Sequence, residues 1–456
     1  MDKFSQLNLI DPLARSVAEV GYLDMTPVQA ATLPAILAGR DVVAQAQTGS
    51  GKTAAFALGL LAALDATTVK LQGLVLCPTR ELADQVSREI RRLARFITNV
   101  KVLTLCGGVS LRPHLASLAH EPHIVVGTPG RLLELIEKKA LPLASIKTLV
   151  LDEADRMLDM GFTEAIQQIV AGLPRTRQTL LFSATIPTAV RDISRHLQRN
   201  PLDITVDAPA ETLIEQHFVE VDPAHKLAAL KSLLLQYRPA RAVVFCNMRQ
   251  TVREVADALA AHHFAVLALH GELEQRDREE MLVRFANHSC TLLVASDVAA
   301  RGLDITDLPM VINYDLANDA DTHLHRIGRT GRAGQRGIAL CLCTPHDLPR
   351  IKIIEERLDV PLQWDTLVAG ARDAPVPPPF ITLAIDAGRQ DKLRPGDLLG
   401  ALTGDAQLPA SAVGKIDVFA TRTYVAIARD WREQSIQRLR AGKIKGRTFR
   451  IREIGG

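Results

Sequence analysis

Between Ala46 and Thr53 the chain reads AQTGSGKT, directly after the apolar run DVVAQA and at the head of the helical stretch KTAAFALGLLAAL. Gly49 and Gly51 let backbone N–H groups face a polyphosphate, Lys52 brings positive charge to its terminal phosphates, and the Thr53 hydroxyl can ligate Mg²⁺. Gln47, Thr48 and Ser50 complete the loop, with Ala46 standing where the general pattern has its first glycine. Further along, IKTLVLDEAD puts Asp152 and Glu153 at the exit of an apolar strand. Carboxylates there are costly unless they meet a cation or a reacting group. Asp152 suits a Mg²⁺ shell, and Glu153 suits the orientation or deprotonation of an attacking water. A third segment, HRIGRTGRAG from His325 to Gly334, concentrates Arg326, Arg329 and Arg332 between glycines. Planar guanidinium groups stabilise charge developing on a transferring phosphoryl group, although such a segment alone reads first as a solvated loop or a nucleic-acid phosphate contact.

These groups must be held by ordered elements, and the length allows for them. At about 150 residues per domain, 456 residues correspond to roughly three domains. From about residue 27, short β-branched or Leu-rich runs alternate with helical stretches, as in DVVAQA, GLVLCP and ELADQVSREIRRLARF, which predicts βαβ units around a parallel sheet. A second series of the same kind runs from ARAVVFCN to GIALCLCT. The polar, turn-rich stretch from Asp207 to Glu211 separates them, so we expect one domain over 1–208 and a second over 209–370, with closure hinging between them. The prolines of ARDAPVPPPF favour an extended spacer over 371–379. The last domain, 380–456, reads as a strand (FITLAI), a helix opened by Pro395, two strands (GKIDVFA and TYVAIA), a helix capped by Asp430 and a strand (RTFRIRE). The expected fold class is α/β, with two parallel-sheet domains in tandem and a small βαββαβ domain at the end.

A composition of 47% hydrophobic and 23% charged residues excludes wholesale disorder and collagen-like repeats. The longest nearly unbroken apolar run, Ala54 to Leu64, is too short to cross a bilayer, and the N-terminus lacks the charged-then-apolar order of a secretory signal. A soluble, cytoplasmic protein without membrane contact is the expectation. The six cysteines lie mostly in apolar runs with no CxxC pair, which points to reduced core thiols. Net charge is only +3, yet residues 371–456 hold 15 Lys and Arg against 9 Asp and Glu, a net of +6, leaving −3 on the preceding 370. From Arg438 onward, RLRAGKIKGRTFRIRE contains seven basic residues and one acid. A basic stripe on such a domain is an electrostatic footprint for nucleic acid, and Lys443, Lys445, Arg447, Arg450 and Arg452 are the candidates for phosphate and sugar contacts. Stacking on the sheet face is not expected, because the strand TRTYVAIARD carries a single ring, Tyr424.

In chain order, GYLDMTPVQ, AQTGSGKT, PTREL, TPGR, DEAD and SAT, followed by VVFCN, QRDR, SDVAARGLD and HRIGRTGR, resemble over residues 4 to 345 the DEAD-box family of ATP-dependent RNA helicases. The resemblance implies two RecA-like domains that use ATP and Mg²⁺. It implies that Tyr22 stacks on the adenine, that Gln29 hydrogen-bonds its exocyclic edge, that Phe4 braces this segment and that Asp304 touches the ribose. Arg329 and Arg332 would serve as arginine fingers, while Ser183 and Thr185, linked to the acidic motif with help from His325, would couple hydrolysis to RNA. By the same transfer, Thr79, Arg80, Gly108, Thr128, Gly130 and Arg131 contact RNA in the first domain, and Gln275, Arg278, Ser296 and Asp297 in the second. These are mostly hydroxyls, glycines and arginines, suited to sugar and phosphate and carrying no base code. Ser296 stands where the family often has Thr, and keeps the hydroxyl.

The implied mechanism is local strand separation, in which both domains close on ATP and single-stranded RNA, bend the bound strand and reopen after hydrolysis. The final domain has the element order of the RNA-recognition motif, and RPGDLLGALTG, GKI, TYVAI and GKIKGRTFRI resemble the C-terminal domain of the bacterial DbpA subfamily. That resemblance implies a hairpin of 23S rRNA in pre-50S particles as the RNA partner and a role in 50S assembly, with no obligate protein partner. An ATP-gated RNA clamp that needs closure but not turnover, a general RNA chaperone without rRNA specificity, and a DNA helicase on the same core are the alternatives. Intact Glu153, Arg329 and Arg332 speak against the clamp, and the full motif set favours RNA over DNA.

Overall fold

The apolar runs become strands and the stretches between them helices in a computed structural model that describes residues 3–47, 49–206, 213–300, 307–331, 336–358, 362–366, 374–405 and 408–455. These fall into two compact units, one ending before residue 213 and the other starting at Leu213. The expected boundary at 207–211 and the first residues of the expected spacer, 371–373, lie outside the described residues, as do Thr48, Asp304 and Arg332.

The first unit is built on strands β1 (Val42–Gln45), β2 (Gly73–Leu76), β3 (Val102–Leu105), β4 (Ile124–Gly127), β5 (Thr148–Asp152), β6 (Gln178–Ser183) and β7 (Leu202–Thr205). They pair in parallel in the order β3-β4-β2-β5-β6-β1-β7. Strands β2, β4 and β5 are buried along their whole length, because helices cover both faces of the sheet in two apolar layers. With both faces sealed, the sheet opens to ligands at the carboxyl ends of its strands.

The second unit repeats the design with β8 (Ile214–Glu220), β9 (Ala242–Cys246), β10 (Val266–Leu269), β11 (Leu292–Ser296), β12 (Met310–Asn313), β13 (Gly337–Cys343) and β14 (Gln363–Asp365), ordered β10-β11-β9-β12-β13-β8-β14. It also holds the four-stranded antiparallel sheet β16-β17-β15-β18, formed by β15 (Phe380–Ile385), β16 (Val413–Val418), β17 (Thr423–Ala428) and β18 (Ile451–Ile454). Helices Pro395–Gly400 and Arg432–Ala441 complete the βαββαβ order. One detail differs from expectation. Asp430 does not cap the second of these helices: it sits in a tight turn, Arg429–Trp431, that precedes the helix and lets Trp431 pack against the helix-side core.

Side chains alternate across the small sheet. Ile381, Leu383, Ile385, Val425 and Ile427 face its own helices, whereas Ala384, Tyr424 and Ile454 face Val283 on the helix Gln275–Ala286 of the neighbouring parallel-sheet domain. From that helix, Glu280 Oε1 accepts hydrogen bonds from Arg452 Nη2 (2.5 Å), Arg422 Nη1 (3.1 Å) and Tyr424 Oη (3.4 Å). Below them Ser289 Oγ and Thr382 Oγ1 lie 2.6 Å apart. Tyr424 is only 3% exposed, so the face of the sheet that could stack bases is occupied by protein. All six cysteines are buried and unpaired, and no helix among the described residues is long and apolar enough to cross a membrane.

The helix Ala320–Ile327 carries a buried His323 whose Nε2 lies 3.0 Å from Gln216 Oε1, while its Nδ1 has no partner among the described residues. Burial, with Arg326 adding to it, pulls the imidazole from its ordinary 6.5 down to about 4. The fold therefore favours neutral His323, and this contribution is complete above pH 6.5 and is lost as pH falls toward 4. The loss amounts to about 3 kcal/mol. Both tryptophans, Trp364 and Trp431, lie in this unit, so their fluorescence follows its unfolding in the full chain. Between pH 7 and pH 4.5 the wild-type urea midpoint should fall more steeply than that of His323→Phe; parallel slopes would show that this imidazole does not titrate on unfolding.

Candidate active site

Strand β6 lies between β5 and β1, which sets the phosphate loop after β1, Ser183 at the end of β6 and Asp152 at the end of β5 side by side. The Ala46 N–H donates to the Ser183 carbonyl at 3.0 Å. Gly51 adopts φ +97°, and a Cβ there would fall 2.6 Å from Gln29 Nε2, so backbone and packing both require glycine. Gln29, 4% exposed, donates from Nε2 to the Gly51 carbonyl (3.1 Å) and accepts at Oε1 from the Thr26 N–H (2.9 Å). The side chain expected at the base edge is thus also a strut beneath the phosphate loop. Lys52 opens the helix Lys52–Ala62 and donates to the Ala46 carbonyl at 2.8 Å, a neutral acceptor that a phosphate oxygen would outcompete.

Asp152, Glu153 and Asp155 are 3%, 8% and 5% exposed. Burial pushes the Asp152 carboxyl up to about 7 against the pull of Lys52, and Glu153 adds to the rise. Glu153 sits in the left-handed region at φ 52°, a strained position for a residue with a side chain, at the sharp turn into the helix Ala154–Asp159. Among the described residues no cluster of three His, Cys, Asp or Glu can hold a metal ion by itself. Asp152 and the Thr53 hydroxyl line the same cavity and are the groups that would hold a Mg²⁺, with phosphate and water oxygens needed to complete its shell.

The expected link from the acidic motif to Ser183 and Thr185 is made by Asp155, a residue that sequence reasoning passed over. Its N–H donates to Ser183 Oγ (3.1 Å), and its Oδ2 accepts from both the N–H and the hydroxyl of Thr185 (3.0 Å each). The signal was present as the fourth position of DEAD, one turn past a buried strand. His325 lies half-buried on the helix Ala320–Ile327 in the other unit.

A cavity of about 420 Å³ opens over the phosphate loop, lined by Tyr22, Gly49, Gly51, Lys52, Thr53, Asp152 and Glu153. Its remaining wall is the helix Arg80–Leu93, through Gln85, Arg88, Glu89 and Arg92. Their i, i+3, i+4, i+7 spacing marks one polar face of ELADQVSREIRRL, a signal that could have exposed them. Phe4, 4% exposed, stacks on Tyr22 with ring centroids 5.8 Å apart. Tyr22 Oη donates to Glu89 Oε1 at 2.8 Å, and burial followed by this bond pushes the phenol up to about 12.

The first unit's RNA candidates cluster at the ends of β2, β4 and β3, adjacent strands on the other half of the same sheet. Thr79 Oγ1 accepts from the Leu82 N–H (3.3 Å) as a helix cap, and Thr128 Oγ1 from the Gly107 N–H (3.2 Å). Arg131, 7% exposed, shapes a loop by donating to the Val109 carbonyl (2.7 Å) and pairing with Glu134 (3.0 Å). Gly108 has φ +72°, and a Cβ there would overlap the Arg80 guanidinium. Gly130 is exposed in the first turn of the helix Pro129–Glu137, where N–H groups point outward.

In the second unit, Ser296 is 5% exposed at the end of β11, and the Arg278 guanidinium donates to the Ala299 carbonyl at 2.7 Å. Gln275 Nε2 donates to Glu279 Oε1 at 3.3 Å. Asp297 is gripped by Arg326 through two bonds of 2.7 Å. Arg326, 2% exposed, directs its three other donors to Asn313 Oδ1 (3.1 Å), the Asp315 carbonyl (2.6 Å) and Asn247 Oδ1 (2.7 Å), and so acts as a hub beneath this segment. Arg329 is 8% exposed two residues beyond the same helix. On the small domain, Lys443, Lys445, Arg447 and Arg450 are exposed, whereas Arg452 is engaged by Glu280. Lys445 and Gly446, both at positive φ, form a tight turn closed by Ile444–Arg447 backbone bonds, and the exposed Lys445 side chain donates from Nζ to the Lys392 carbonyl (3.1 Å) and lies 3.5 Å from Asp397 Oδ2.

Comparison with known proteins agrees with this geometry. Residues 26–193 match the family described as DEAD/DEAH box helicase, 225–334 the helicase conserved C-terminal domain, and 382–453 the DbpA RNA binding domain. The chain is 52% identical over 454 residues to the ATP-dependent RNA helicase DbpA of Escherichia coli, covering 99% of each protein. It is 43% identical over 370 residues to the DEAD-box ATP-dependent RNA helicase CshA of Bacillus cereus, covering 79% of this chain and 70% of that one. Among solved structures, S. cerevisiae Dbp5 bound to RNA and ADP BeF3 superposes with a TM-score of 0.72 at 27% identity, covering 80% of this chain and 96% of that one. A phosphate loop beside a buried acidic pair, on a sheet of this topology and with kinship along its whole length, leaves one conclusion: the chain belongs to the DEAD-box ATP-dependent RNA helicases, RNA-stimulated ATPases, and carries a DbpA-type RNA-binding domain.

Proposed function

We propose that this helicase is directed by its C-terminal domain to a structured hairpin of 23S rRNA and separates short duplexes during 50S assembly in the cytoplasm. The observation that carries the reading is the charge separation. The domain with the DbpA-type match holds a net +6 over 371–456, and Lys443, Lys445, Arg447 and Arg450 stand exposed on it. Its sheet face is covered, so the basic run beside it is the surface left for a polyanion, with phosphate and sugar contacts supplying affinity. A relative named DbpA, similar over 99% of both chains, supports the same assignment.

For hydrolysis we assign Lys52 and the N–H groups of the loop Gln47–Thr53 to the ATP phosphates. Asp152 and Thr53 would hold Mg²⁺, which supplies charge neutralisation to the phosphates when bound. Glu153, aimed by its left-handed backbone, orients and deprotonates the attacking water, and the γ-phosphoryl group passes to that water with ADP as leaving group. Arg329 and Arg332 donate to the phosphoryl oxygens, and Asp304 belongs to the ribose end of the site. Tyr22 and Gln29 take the adenine, with Phe4 behind Tyr22. The Asp155–Ser183–Thr185 bonds couple the hydrolytic end of β5 to the strand next to the phosphate loop, and His325 adds to that coupling. Thr79, Arg80, Gly108, Thr128, Gly130, Arg131, Gln275, Arg278, Ser296 and Asp297 frame the path of the RNA strand, Arg131 and Asp297 by shaping its walls.

ATPase stimulation of the full chain by tiled 23S rRNA fragments tests the targeting. One short hairpin-containing window should stimulate at concentrations about tenfold or more below the rest, and equal stimulation by all windows would favour the general chaperone. Glu153→Gln should lower RNA-stimulated kcat by about a hundredfold or more while ATP still binds; appreciable turnover would remove the water-activating role. Replacing Lys443, Lys445, Arg447 and Arg450 together by Ala should weaken binding to the stimulating fragment and flatten the slope of log Kd against log salt by about one unit for each phosphate no longer neutralised. An unchanged slope would place the RNA elsewhere.

A further inference from the structure

Tyr22 presents one ring face to the nucleotide cavity, and that face is covered. Phe4, stacked on Tyr22, is buried and does not line the cavity, whereas Arg92 does, with its guanidinium carbon 5.3 Å from the Tyr22 ring centroid. A base that stacks on Tyr22 must enter where this guanidinium lies. Arg92 is held there lightly: its side chain is 48% exposed, and its Nε is 3.6 Å from Glu89 Oε2. Glu89 is itself fixed, 17% exposed, by the Tyr22 hydroxyl at 2.8 Å. Tyr22, Glu89 and Arg92 therefore form one unit in which the aromatic ring and the guanidinium share a carboxylate.

We propose that Arg92 is the outer wall of the base pocket: on nucleotide binding its guanidinium rises by one ring thickness and lies over the purine, leaving the base between Tyr22 and Arg92. The inference rests on the reading of Tyr22 and Gln29 as base-binding residues and adds a second face to it. A guanidinium is planar and weakly hydrated, so it stacks on π-systems with little desolvation cost. The long stem of Arg92 and its Glu89 tether let it move outward without leaving the pocket. Stacking is indifferent to which purine is bound, so Arg92 adds affinity while Gln29 chooses the base. Arg92 is a positioning residue, remote from the reacting phosphate.

The test uses the full chain at saturating RNA, with KM for ATP and inhibition constants for ADP and GDP as readouts. Arg92→Ala should raise all three by about tenfold, leaving the ADP/GDP ratio as in wild type and confining the loss to KM. Arg92→Trp, flat but uncharged, should restore affinity, and Arg92→Lys, charged but not flat, should not. The surface position makes each variant foldable. Unchanged or lowered constants in Arg92→Ala would overturn the proposal, the latter by showing that the guanidinium competes with the base. Rescue by Lys and not by Trp would also overturn it, by assigning Arg92 to the phosphates through charge alone. Tyr22→Ala separates the two readings. If it raises KM while Arg92→Ala does not, the outer wall alone fails; if it leaves KM unchanged, the base lies elsewhere and both readings fail.

Discussion

Four ionisable side chains, Lys52, Asp152, Glu153 and Asp155, are packed at the carboxyl ends of β1 and β5, none more than 8% exposed. Three of them carry the same sign, and low-dielectric surroundings make that costly. The rest of the first unit is arranged to hold this set. Its sheet order puts Ser183 between the two strand ends, the Asp155 carboxylate accepts from the N–H and hydroxyl of Thr185, and Asp152 has its carboxyl pushed up to about 7 by burial that the pull of Lys52 does not offset. A divalent cation and phosphates would relieve the cost that remains. The pocket is thus prepared for a ligand that brings compensating charge.

In the second parallel-sheet domain the corresponding problem is solved with one cation. Arg326 is buried to 2% and uses every guanidinium donor on acceptors from the ends of β9, β11 and β12. Removing Asp297 would leave an unpaired buried charge, a strongly destabilising change, whereas removing Asn247 or Asn313 would leave a buried guanidinium donor unsatisfied. Arg326 and Arg329, three residues apart in one basic motif, are both buried, the first on the helix Ala320–Ile327 and the second two residues beyond its end.

The small domain shows how packing redirects a fold's use. Its strand order is that of a nucleic-acid-binding sandwich, yet Val283 and Glu280 occupy the sheet face, and Arg452 and Tyr424 are drawn into that joint. Positive charge that can meet a polyanion is left on the turn and strand edge at Lys443, Lys445, Arg447 and Arg450.

Much of this was legible in one dimension. Period-2 and period-3.6 patterns, glycines at the phosphate loop and acids at strand exits are local, and local steric and solvation rules act on them wherever they occur, so the α/β alternation, the βαββαβ order and residues such as Lys52 and Asp152 could be read directly, whereas Gln29 came only through the family resemblance. Tertiary structure decided what each side chain does with its charge. That Gln29 braces Gly51, that Asp155 reaches Thr185, that Glu89 and Arg92 stand over Tyr22, and that Arg452 meets Glu280 across 172 positions of chain all depend on which strand ends lie side by side. Hydrogen bonds and ion pairs fall away within a few ångströms, so their partners are set by sheet order and domain docking, quantities that no stretch of sequence carries by itself.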